Sequence, residues 1–410
     1  MQDNEKKPAL RFKGFTDPWE QRKLGEIAKE VVRNDPASDA PIMMITAGNG
    51  FIEQSDRYAF NNAGESLKKY ILLECGELAY NHGASKLRPY GSCFALTTVE
   101  KARIPFVYHC FSVEKSNPEF LSIELNGANV ENQLRKIVSS GARMDGLLNI
   151  AYSEYTEVTV QLPKKEEQDW IAKFFKQLDT LITLHQRKYE KLVNIKKSML
   201  DKMFPPNGAS VPEIRFKGFT DPWEQRKLDE IANFSKGVGY SKNDLCEEGT
   251  PIILYGRLYT KYETSIFDVD TFVKEKAGSV YSKGGEVIVP ASGETAEDIS
   301  IASVVVKPGI LLGGDLNIVS PTTEYDSAFL ALTISSGAAH EYLSSLAQGK
   351  SVVHLHNADI QSVSAKFPTK REQEKIHLLF GKIDTLITLH QRKLEKLQNI
   401  KKSCLEKMFV

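Results

Sequence analysis

The amino-acid sequence predicts an α+β protein in which two α/β domains are separated by a long antiparallel two-helix coiled coil with pseudo-two-fold symmetry. Two repeats support this prediction. Arg11–Leu24 recurs unchanged as Arg215–Leu228, and Pro163–Phe204 matches Pro368–Phe409 at 28 of 42 positions. The segments between the repeats have nearly the same length and almost no sequence in common. The short and long repeats together, which we call the frame, are therefore duplicated around two different inserts.

The repeats divide the chain of 410 residues into four parts, and this length suits two domains better than one core. In chain order, the predicted parts are a first domain with the N-terminal constant segment (1–163), a first spacer helix (164–206), a second domain (207–367) and a second spacer helix (368–410).

The longer repeat predicts one helix in each copy. Each copy begins with a proline and a Glu-Gln pair, which suit the first turn of a helix, and then places seam residues every seven positions. Five such heptads indicate a coiled-coil seam, and a helix of about 38 residues is roughly 57 Å long. The predicted seam residues are Ile171, Leu178, His185, Leu192 and Met199 in the first copy, and Ile376, Ile383, His390, Leu397 and Cys404 in the second.

The symmetry of the repeats leads to two further expectations. His185 and His390 lie midway along their helices, so an antiparallel pair brings them together at its centre. They are interpreted either as a pH-sensitive or specificity-giving polar layer, or as polar residues that the seam tolerates. Because about ten residues separate Phe204 from Arg215, symmetry also places Phe409 within roughly 35 Å of Arg11.

The inserts, Gly25–Leu162 and Asp229–Phe367, are predicted to share one mixed α/β fold. Each contains a strand that opens with Gly-Glu, at Gly76 and Gly285, and that leads into a turn of small or polar residues. The strands predicted in the first insert are Ile42–Ala47, Glu77–Tyr80, Cys93–Thr98 and Phe106–Phe111, and its helices are Glu119–Leu125 and Glu131–Val138. The strands predicted in the second insert are Pro251–Tyr255, Glu286–Pro290, Ile299–Val306 and Leu316–Ser320, and its helices are Ser327–Ser335 and Ala338–Gln348.

The composition is that of a globular chain, with 41% hydrophobic and 26% charged residues. Its 53 basic and 53 acidic residues lack the basic excess of a non-specific nucleic-acid binder, so such binding requires local clusters or a basic partner. Five cysteines without a CxxC pair favour reduced thiols in the cytoplasm and argue against a zinc site. No apolar run approaches the roughly 20 residues that span a bilayer, and the N-terminus lacks an apolar signal segment.

Motifs for catalysis or metal binding are incomplete. The Asp-Pro-Trp sequence at Asp17, with its copy at Asp221, lacks the second proline of the amino-methyltransferase motif and is better interpreted as a turn. Gly349-Lys350-Ser351 lacks the first glycine of a phosphate-binding loop. His354 and His356 have no evident third or fourth metal ligand. The chain by itself is therefore expected to be non-catalytic and to hold no metal.

The heptad helix that contains LDTLITLHQRK and ends in NIKKSMLDKMF is duplicated around two unlike inserts, and this arrangement resembles the specificity subunits of type I restriction–modification systems. The resemblance covers essentially the whole chain. It implies that each insert is a target-recognition domain for one half of a bipartite double-stranded DNA sequence. It also implies that the helices act as a spacer and as a docking surface for two modification subunits, which methylate adenine N6, and that motor–nuclease restriction subunits can join. S-adenosylmethionine, ATP and Mg are then expected in the partner subunits, and no cofactor in this chain.

The candidate DNA contacts are polar and basic loop residues, because arginine pairs with guanine and asparagine with adenine in the major groove. The alternative for each is an ordinary solvated loop residue. The candidates are Asn81, His82, Ser85, Lys86, Arg88 and Arg143 in the first domain, and Tyr255, Arg257, Lys261, Ser292, Glu294, Thr295, Lys350 and His354 in the second.

The second half of each long helix holds six Lys/Arg residues against two acidic residues. Lys196, Lys197, Lys401 and Lys402 are therefore candidate contacts to DNA phosphates or to an acidic face of a partner, or else solvated surface charges. Two other functions also fit the pattern: a coiled-coil scaffold that binds only proteins, and a free-standing DNA-binding regulator.

Overall fold

The computed structural model describes residues 7–57, 64–138, 148–206, 208–349 and 352–410. The chain forms two compact units. The first contains Met1–Leu184 and Leu394–Val410, and the second contains His185–Lys393. Each unit therefore includes one insert and part of each long helix. Within the described residues, no helix combines the length and the apolar character needed to cross a membrane.

The first half of the chain contains short strands followed by helices. Its described strands are β1 (Glu20–Lys23), β2 (Ala28–Glu30), β3 (Met43–Thr46), β4 (Gly50–Glu53), β5 (Ile71–Glu74), β6 (Leu78–Asn81), β7 (Ser92–Ala95), β8 (Lys101–Ile104), β9 (His109–Val113) and β10 (Thr159–Leu162). Its described helices are α1 (Pro118–Leu125), α2 (Ala128–Ile137), α3 (Tyr152–Tyr155) and α4 (Lys165–Met203).

The second half follows the same plan with more short strands. Its described strands are β11 (Glu224–Lys227), β12 (Ala232–Lys236), β13 (Leu245–Cys246), β14 (Thr250–Ile253), β15 (Ser265–Ile266), β16 (Phe272–Val273), β17 (Glu286–Pro290), β18 (Ser292–Gly293), β19 (Ser303–Val305), β20 (Leu311–Leu312), β21 (Leu316–Pro321), β22 (Val353–His354) and β23 (Ser364–Phe367). Its described helices are α5 (Leu228–Ile231), α6 (Arg257–Thr260), α7 (Ala296–Ile299), α8 (Ser327–Ile334), α9 (Gly337–Leu346), α10 (Asn357–Ser362) and α11 (Lys370–Lys407).

The two predicted long helices are α4, with 39 residues, and α11, with 38. Both place glutamate in the first turn and lysine in the last turn, where each charge is favoured by the helix dipole. Helix α11 continues through Gly381, at which an added Cβ would meet nothing within 4 Å. This glycine is therefore tolerated in α11 without a packing role.

In the second unit, the two long helices run antiparallel. His185 of α4 contacts His390 of α11, and further along α4 Lys196 pairs with Asp384 at 2.5 Å. Residue numbers thus rise along one helix as they fall along the other. The meeting of the two histidines that the repeat predicts is confirmed.

The parts of α4 and α11 in the first unit are also antiparallel. Lys401 of α11 pairs with Asp179 at 2.5 Å, and earlier along α4 the ring of Phe175 lies 6.0 Å from that of Phe409, just after the end of α11. Each of the ten predicted seam residues is buried or half-buried in its own unit. Burial of these positions is the reason that the heptad pattern is visible in the sequence.

The first constant segment, by which we mean the repeated sequence Arg11–Leu24, connects the start of α4 with the end of α11. Arg11 donates two hydrogen bonds to the buried carboxylate of Glu167, at 2.6 and 2.7 Å, and the Leu10 N–H donates to the Lys407 carbonyl at 2.8 Å. The Asp-Pro-Trp turn buries Trp19 against Phe409, with ring centroids 6.0 Å apart. The expected proximity of Phe409 and Arg11 is therefore confirmed.

The second constant segment makes the equivalent contacts in the second unit. Arg215 donates to Glu372 at 2.7 and 2.8 Å, the Ile214 N–H donates to the Lys202 carbonyl at 2.9 Å, and Trp223 packs on the ring of Phe204. Strands β1 and β11 then pair antiparallel with β10 and β23, the strands that precede the long helices. These shared contacts give a physical reason for the identity of the two constant segments.

The two inserts share a sheet topology, as predicted. In the first insert the main sheet has the order β2-β9-β6-β7, and in the second β12-β21-β17-β19, with β15 added at the edge. The strands at the two Gly-Glu sequences, β6 just after Glu77 and β17 beginning at Glu286, take equivalent places in these sheets. Helices α1 and α2 follow β9, just as α8 and α9 follow β21. The same fold is thus built from two different sequences.

Three predicted strands extend at least three residues beyond the observed ones, and one of them, Cys93–Thr98, already ends at Ala95. The strand predicted at Ile299–Val306 is wrong in its first half, because Ile299 ends α7 and the Ser300 hydroxyl donates back to the Ala296 carbonyl at 2.9 Å. The strand predicted at Phe106–Phe111 begins at His109, because a turn in which the Tyr108 N–H donates to the Pro105 carbonyl precedes it.

Candidate nucleic-acid interface

In each unit, two loops meet at the end of the strand that opens with Gly-Glu. After β6, the His82 carbonyl accepts the Leu148 N–H at 2.9 Å, and after β17, the Ala291 carbonyl accepts the Leu355 N–H at 3.0 Å. We call the residues that follow the strand, 82–91 and 291–295, the strand-end loop. We call residues 148–151 and 352–355 the return loop. The same backbone contact joins the two loops in both units.

Most candidate DNA contacts of the sequence lie at this junction. In the first unit, Asn81, His82, Ser85, Lys86 and Arg88 belong to the strand end and its loop. In the second unit, Ser292, Glu294 and Thr295 lie on the strand-end loop, and His354 lies on the return loop. Arg143 and Lys350 lie outside the described residues.

In the first unit, hydrogen bonds within the protein hold the strand-end loop. The Asn81 amide donates to the Ile45 carbonyl at 3.2 Å, and its oxygen accepts the Gly83 N–H at 2.9 Å. Ser85 and Arg88 close a turn through two bonds of 3.0 Å, one from the Ser85 N–H to the Arg88 carbonyl and one from the Arg88 N–H to the Ser85 hydroxyl. Lys86 is exposed within this turn.

Arg88 anchors the same loop to α1. Its guanidinium donates to the Asn126 carbonyl at 2.6 Å, and burial lowers the pKa of this side chain. Arg88 therefore shapes the turn, whereas Lys86 at its tip is the cation available to an incoming ligand. The loop also rests on an aromatic cluster in which the Tyr80 and Tyr155 rings stack at 4.0 Å.

In the second unit, the two loops form a small antiparallel ladder. Ser292 of β18 lies opposite His354 of β22, and the Ser292 hydroxyl is 3.1 Å from His354 Nδ1. The Tyr259 hydroxyl donates to the Ser292 carbonyl. Thr295 accepts the Asp298 N–H at 3.1 Å and so begins α7, while Glu294 beside it is exposed. The structure thus brings Ser292 and His354 together.

The remaining candidates of the second unit lie on or beside α6. Arg257 is buried and donates to Asp270 at 2.7 Å and to Glu263 at 2.8 Å, and Lys261 pairs with Asp270 at 2.9 Å. These hydrogen bonds, that from Lys261 foremost, lower the pKa of Asp270 to about 2. Such pairing favours a structural role for both cations.

Tyr259 is a component of this site that sequence reasoning missed. Its ring lies 6.0 Å from that of the candidate Tyr255, and its hydroxyl reaches a strand 33 residues further along the chain. The spacing of the two tyrosines by four residues, which places them on one face of a helical turn, was the available signal.

The candidate lysines of the long helices fall into two classes. Lys196 and Lys401 are engaged within the protein by Asp384 and Asp179. Lys197 and Lys402 are exposed to solvent. The exposed pair is the better placed for contact with a partner or with DNA.

Comparison with known proteins places this geometry in a family. Residues 16–194 and 220–399 each match the family described as the type I restriction modification DNA specificity domain. The chain is 22% identical over 277 residues to the type I restriction enzyme MjaVIII specificity subunit of Methanocaldococcus jannaschii, an alignment that covers 65% of this chain and 64% of that protein. The chain therefore spans slightly less than two thirds of this relative.

The fold also resembles a solved structure. The crystal structure of a type I restriction-modification system S subunit from M. genitalium superimposes with a TM-score of 0.61 at 13% identity, covering 98% of this chain and 99% of that chain. The two matched segments include both inserts and part of each repeat, and together they make up most of the sequence. The chain belongs to the type I restriction–modification specificity subunit family.

Proposed function

We propose that this chain reads a bipartite double-stranded DNA sequence, one half with each unit, as the specificity subunit of a type I restriction–modification complex. One observation supports the proposal above all. Two units with the same frame and sheet topology present the same pair of loops, but the loops carry different side chains. A constant scaffold with variable loops is what two readers of two different half-sites require.

The charges of the two loop junctions suggest that a partner shares the phosphate contacts. The first unit presents the exposed cations Lys86 and Arg135, whereas the second presents the exposed carboxylates of Glu294, Glu297 and Asp298. Carboxylates disfavour phosphate but can accept a hydrogen bond from cytosine N4. Together with the net charge of zero, this indicates that tight DNA binding needs a more basic subunit.

The long helices supply the surface on which we place the partner subunits. Leu181 and Leu184 of α4 are 42% and 44% exposed, and their copies Leu386 and Leu389 of α11 are each 44% exposed. Exposed apolar side chains that recur at equivalent positions of a duplicated frame fit two copies of one partner. The partner is a modification subunit that binds S-adenosylmethionine and methylates adenine N6, after it flips the base from the duplex. Motor–nuclease subunits that use ATP and Mg complete the complex, and this chain contributes no catalytic group.

DNA binding by the separate and combined subunits tests this function. Fluorescence anisotropy with a genomic-fragment library compares the chain alone, a modification subunit of the same restriction–modification system, and both together. Selective, tight binding is expected only for the combination, with an affinity that falls steeply as salt rises. Selective binding by the chain alone would instead indicate a free-standing regulator. No DNA binding in any combination would indicate a protein-binding scaffold.

A further inference from the structure

His354 is exposed, yet its backbone is fixed on two sides. On one side it pairs with Ser292 in the β18–β22 ladder. On the other, its N–H donates to the Gln348 carbonyl at 2.8 Å, and its carbonyl accepts the Gln348 N–H at 3.2 Å. The next residue, Leu355, is buried and hydrogen bonded to the side chain of Asn317 through its carbonyl. The imidazole is therefore presented to solvent from a rigid position.

A hydrogen bond also orients the imidazole ring. Its Nδ1 lies 3.1 Å from the hydroxyl of Ser292, a residue that is nearly buried and whose carbonyl accepts the Tyr259 hydroxyl. When the serine hydroxyl donates to Nδ1, the neutral ring carries its proton on Nε2. Within the part of the chain that the structure describes, no hydrogen bond uses Nε2. The ring then offers one N–H donor to a ligand.

The charges near this donor disfavour a phosphate as its ligand. Helix α7 packs against both β18 and β22, and its first turn carries the exposed carboxylates of Glu297 and Asp298. Glu294 precedes it on the strand-end loop and is also exposed. These three negative charges repel a phosphate group, whereas they do not repel a neutral acceptor on the edge of a base.

We propose that His354 is a specificity-determining residue of the second unit, whose Nε2–H donates to a purine acceptor in the major groove, N7 or guanine O6. Ser292 is the positioning residue that keeps the proton on Nε2. This inference rests on the proposed function, because it assigns one contact within the half-site that the second unit reads. Each purine presents N7 in the major groove, and guanine adds O6.

Selection from a randomised duplex library tests the contact with the complex of this chain and its modification subunits. For His354→Ala, we expect preference to fall roughly 10-fold at one base pair of one half-site, with the other half-site unchanged. Ser292→Ala should lower preference at the same base pair by a smaller factor, and the double variant should lose no more than His354→Ala. His354→Gln, whose amide can place a donor near the position of Nε2, should retain part of the preference. His356→Ala, an exposed histidine two residues away, is the matched control and should select the wild-type sequence.

Duplexes with a 7-deazapurine at the affected position identify the acceptor. If N7 is contacted, the substitution should weaken wild-type binding and leave the His354→Ala complex unaffected. If it leaves both unaffected while guanine is still required, O6 is the acceptor, and both results support the proposal. Equal weakening for all sequences with a shallower salt dependence would show a phosphate contact and overturn it, as would an unchanged preference. A wild-type complex that selects no sequence would contradict the proposed function itself, which is a different result.

Discussion

The Nδ1 atoms of His185 and His390 lie 2.8 Å apart in the seam of the two long helices. Such a bond needs a neutral acceptor nitrogen on at least one ring, so the doubly protonated pair cannot form it. Burial lowers the pKa of His185, and the charges of His390, Lys393 and Lys188 lower it further. The seam therefore favours the neutral form of His185, and the polar-layer interpretation gains support over a merely tolerated residue.

Acidification should weaken the second unit through this histidine pair. A histidine whose folded-state pKa is lowered contributes stability above its ordinary pKa of about 6.5, and this contribution is lost as the pH falls below that value. The unfolding temperature should thus drop between pH 7.5 and pH 5.5. The double variant His185→Leu/His390→Leu should lose less stability on acidification, which calorimetry at both pH values measures. An equal drop in wild type and double variant would exclude the pair as the cause.

Removal of Arg215 should destabilise the second unit by about 3–5 kcal/mol, because it leaves the buried carboxylate of Glu372 without its partner. Urea unfolding of Arg215→Met measures this loss. The control is Arg226→Ala, whose partner Glu224 is exposed and whose loss should cost at most about 1 kcal/mol. Similar losses in the two variants would contradict the anchoring role of the constant segment.

Glu124 should make the first unit less stable as the pH rises. Burial raises the pKa of this carboxyl to about 7, although the Gln161 N–H donates to it at 2.9 Å. The folded state thus holds a proton that the unfolded chain releases near its ordinary pKa, so stability falls between about pH 4.5 and pH 7. Glu124→Gln keeps the acceptor oxygen and should gain up to about 3 kcal/mol at pH 8, but nothing at pH 4. A gain of the same size at both pH values would rule out titration of Glu124.

Replacement of Gly381 by alanine should stabilise helix α11. The Cβ position of Gly381 is empty and the residue lies in the interior of α11, so Gly381→Ala should add about 1 kcal/mol. The equivalent residue of α4 is Lys176, and Lys176→Gly should remove a similar amount. Thermal unfolding of both variants checks the pair of opposite shifts. A loss of stability in Gly381→Ala would mean that the glycine has a packing role.

The sequence predicted the frame well because its repeats impose the same contacts twice. The heptad pattern arises because the seam residues are buried. The constant segments are identical because both units use the same Arg–Glu and Trp–Phe contacts. The frame strands β1 and β11 were missed because all four residues of each, Glu-Gln-Arg-Lys, are exposed and give no alternating pattern. Their partners lie more than 130 residues away, so tertiary structure alone creates them.

The candidate site was predictable only in part. Small and polar residues after the Gly-Glu strands indicated loops at these positions, but which side chains are engaged within the protein depends on distant partners. Arg257 has the chemistry of a guanine reader, yet the fold pairs it with Glu263 and Asp270. The spacing from Tyr255 placed Tyr259 on a helical face, but it gave no sign of the contact with Ser292, which lies 33 residues further along the chain.

Methylome sequencing of an insert chimera tests the central claim most directly. The chimera replaces residues 25–162 with the corresponding insert of another specificity subunit and is expressed with its modification subunit. If each unit reads its own half-site, the adenine-methylated sequence should change in one half only, with the other half retained. A change in both halves, or an unchanged methylated sequence, would contradict the account of two independent readers on one constant frame.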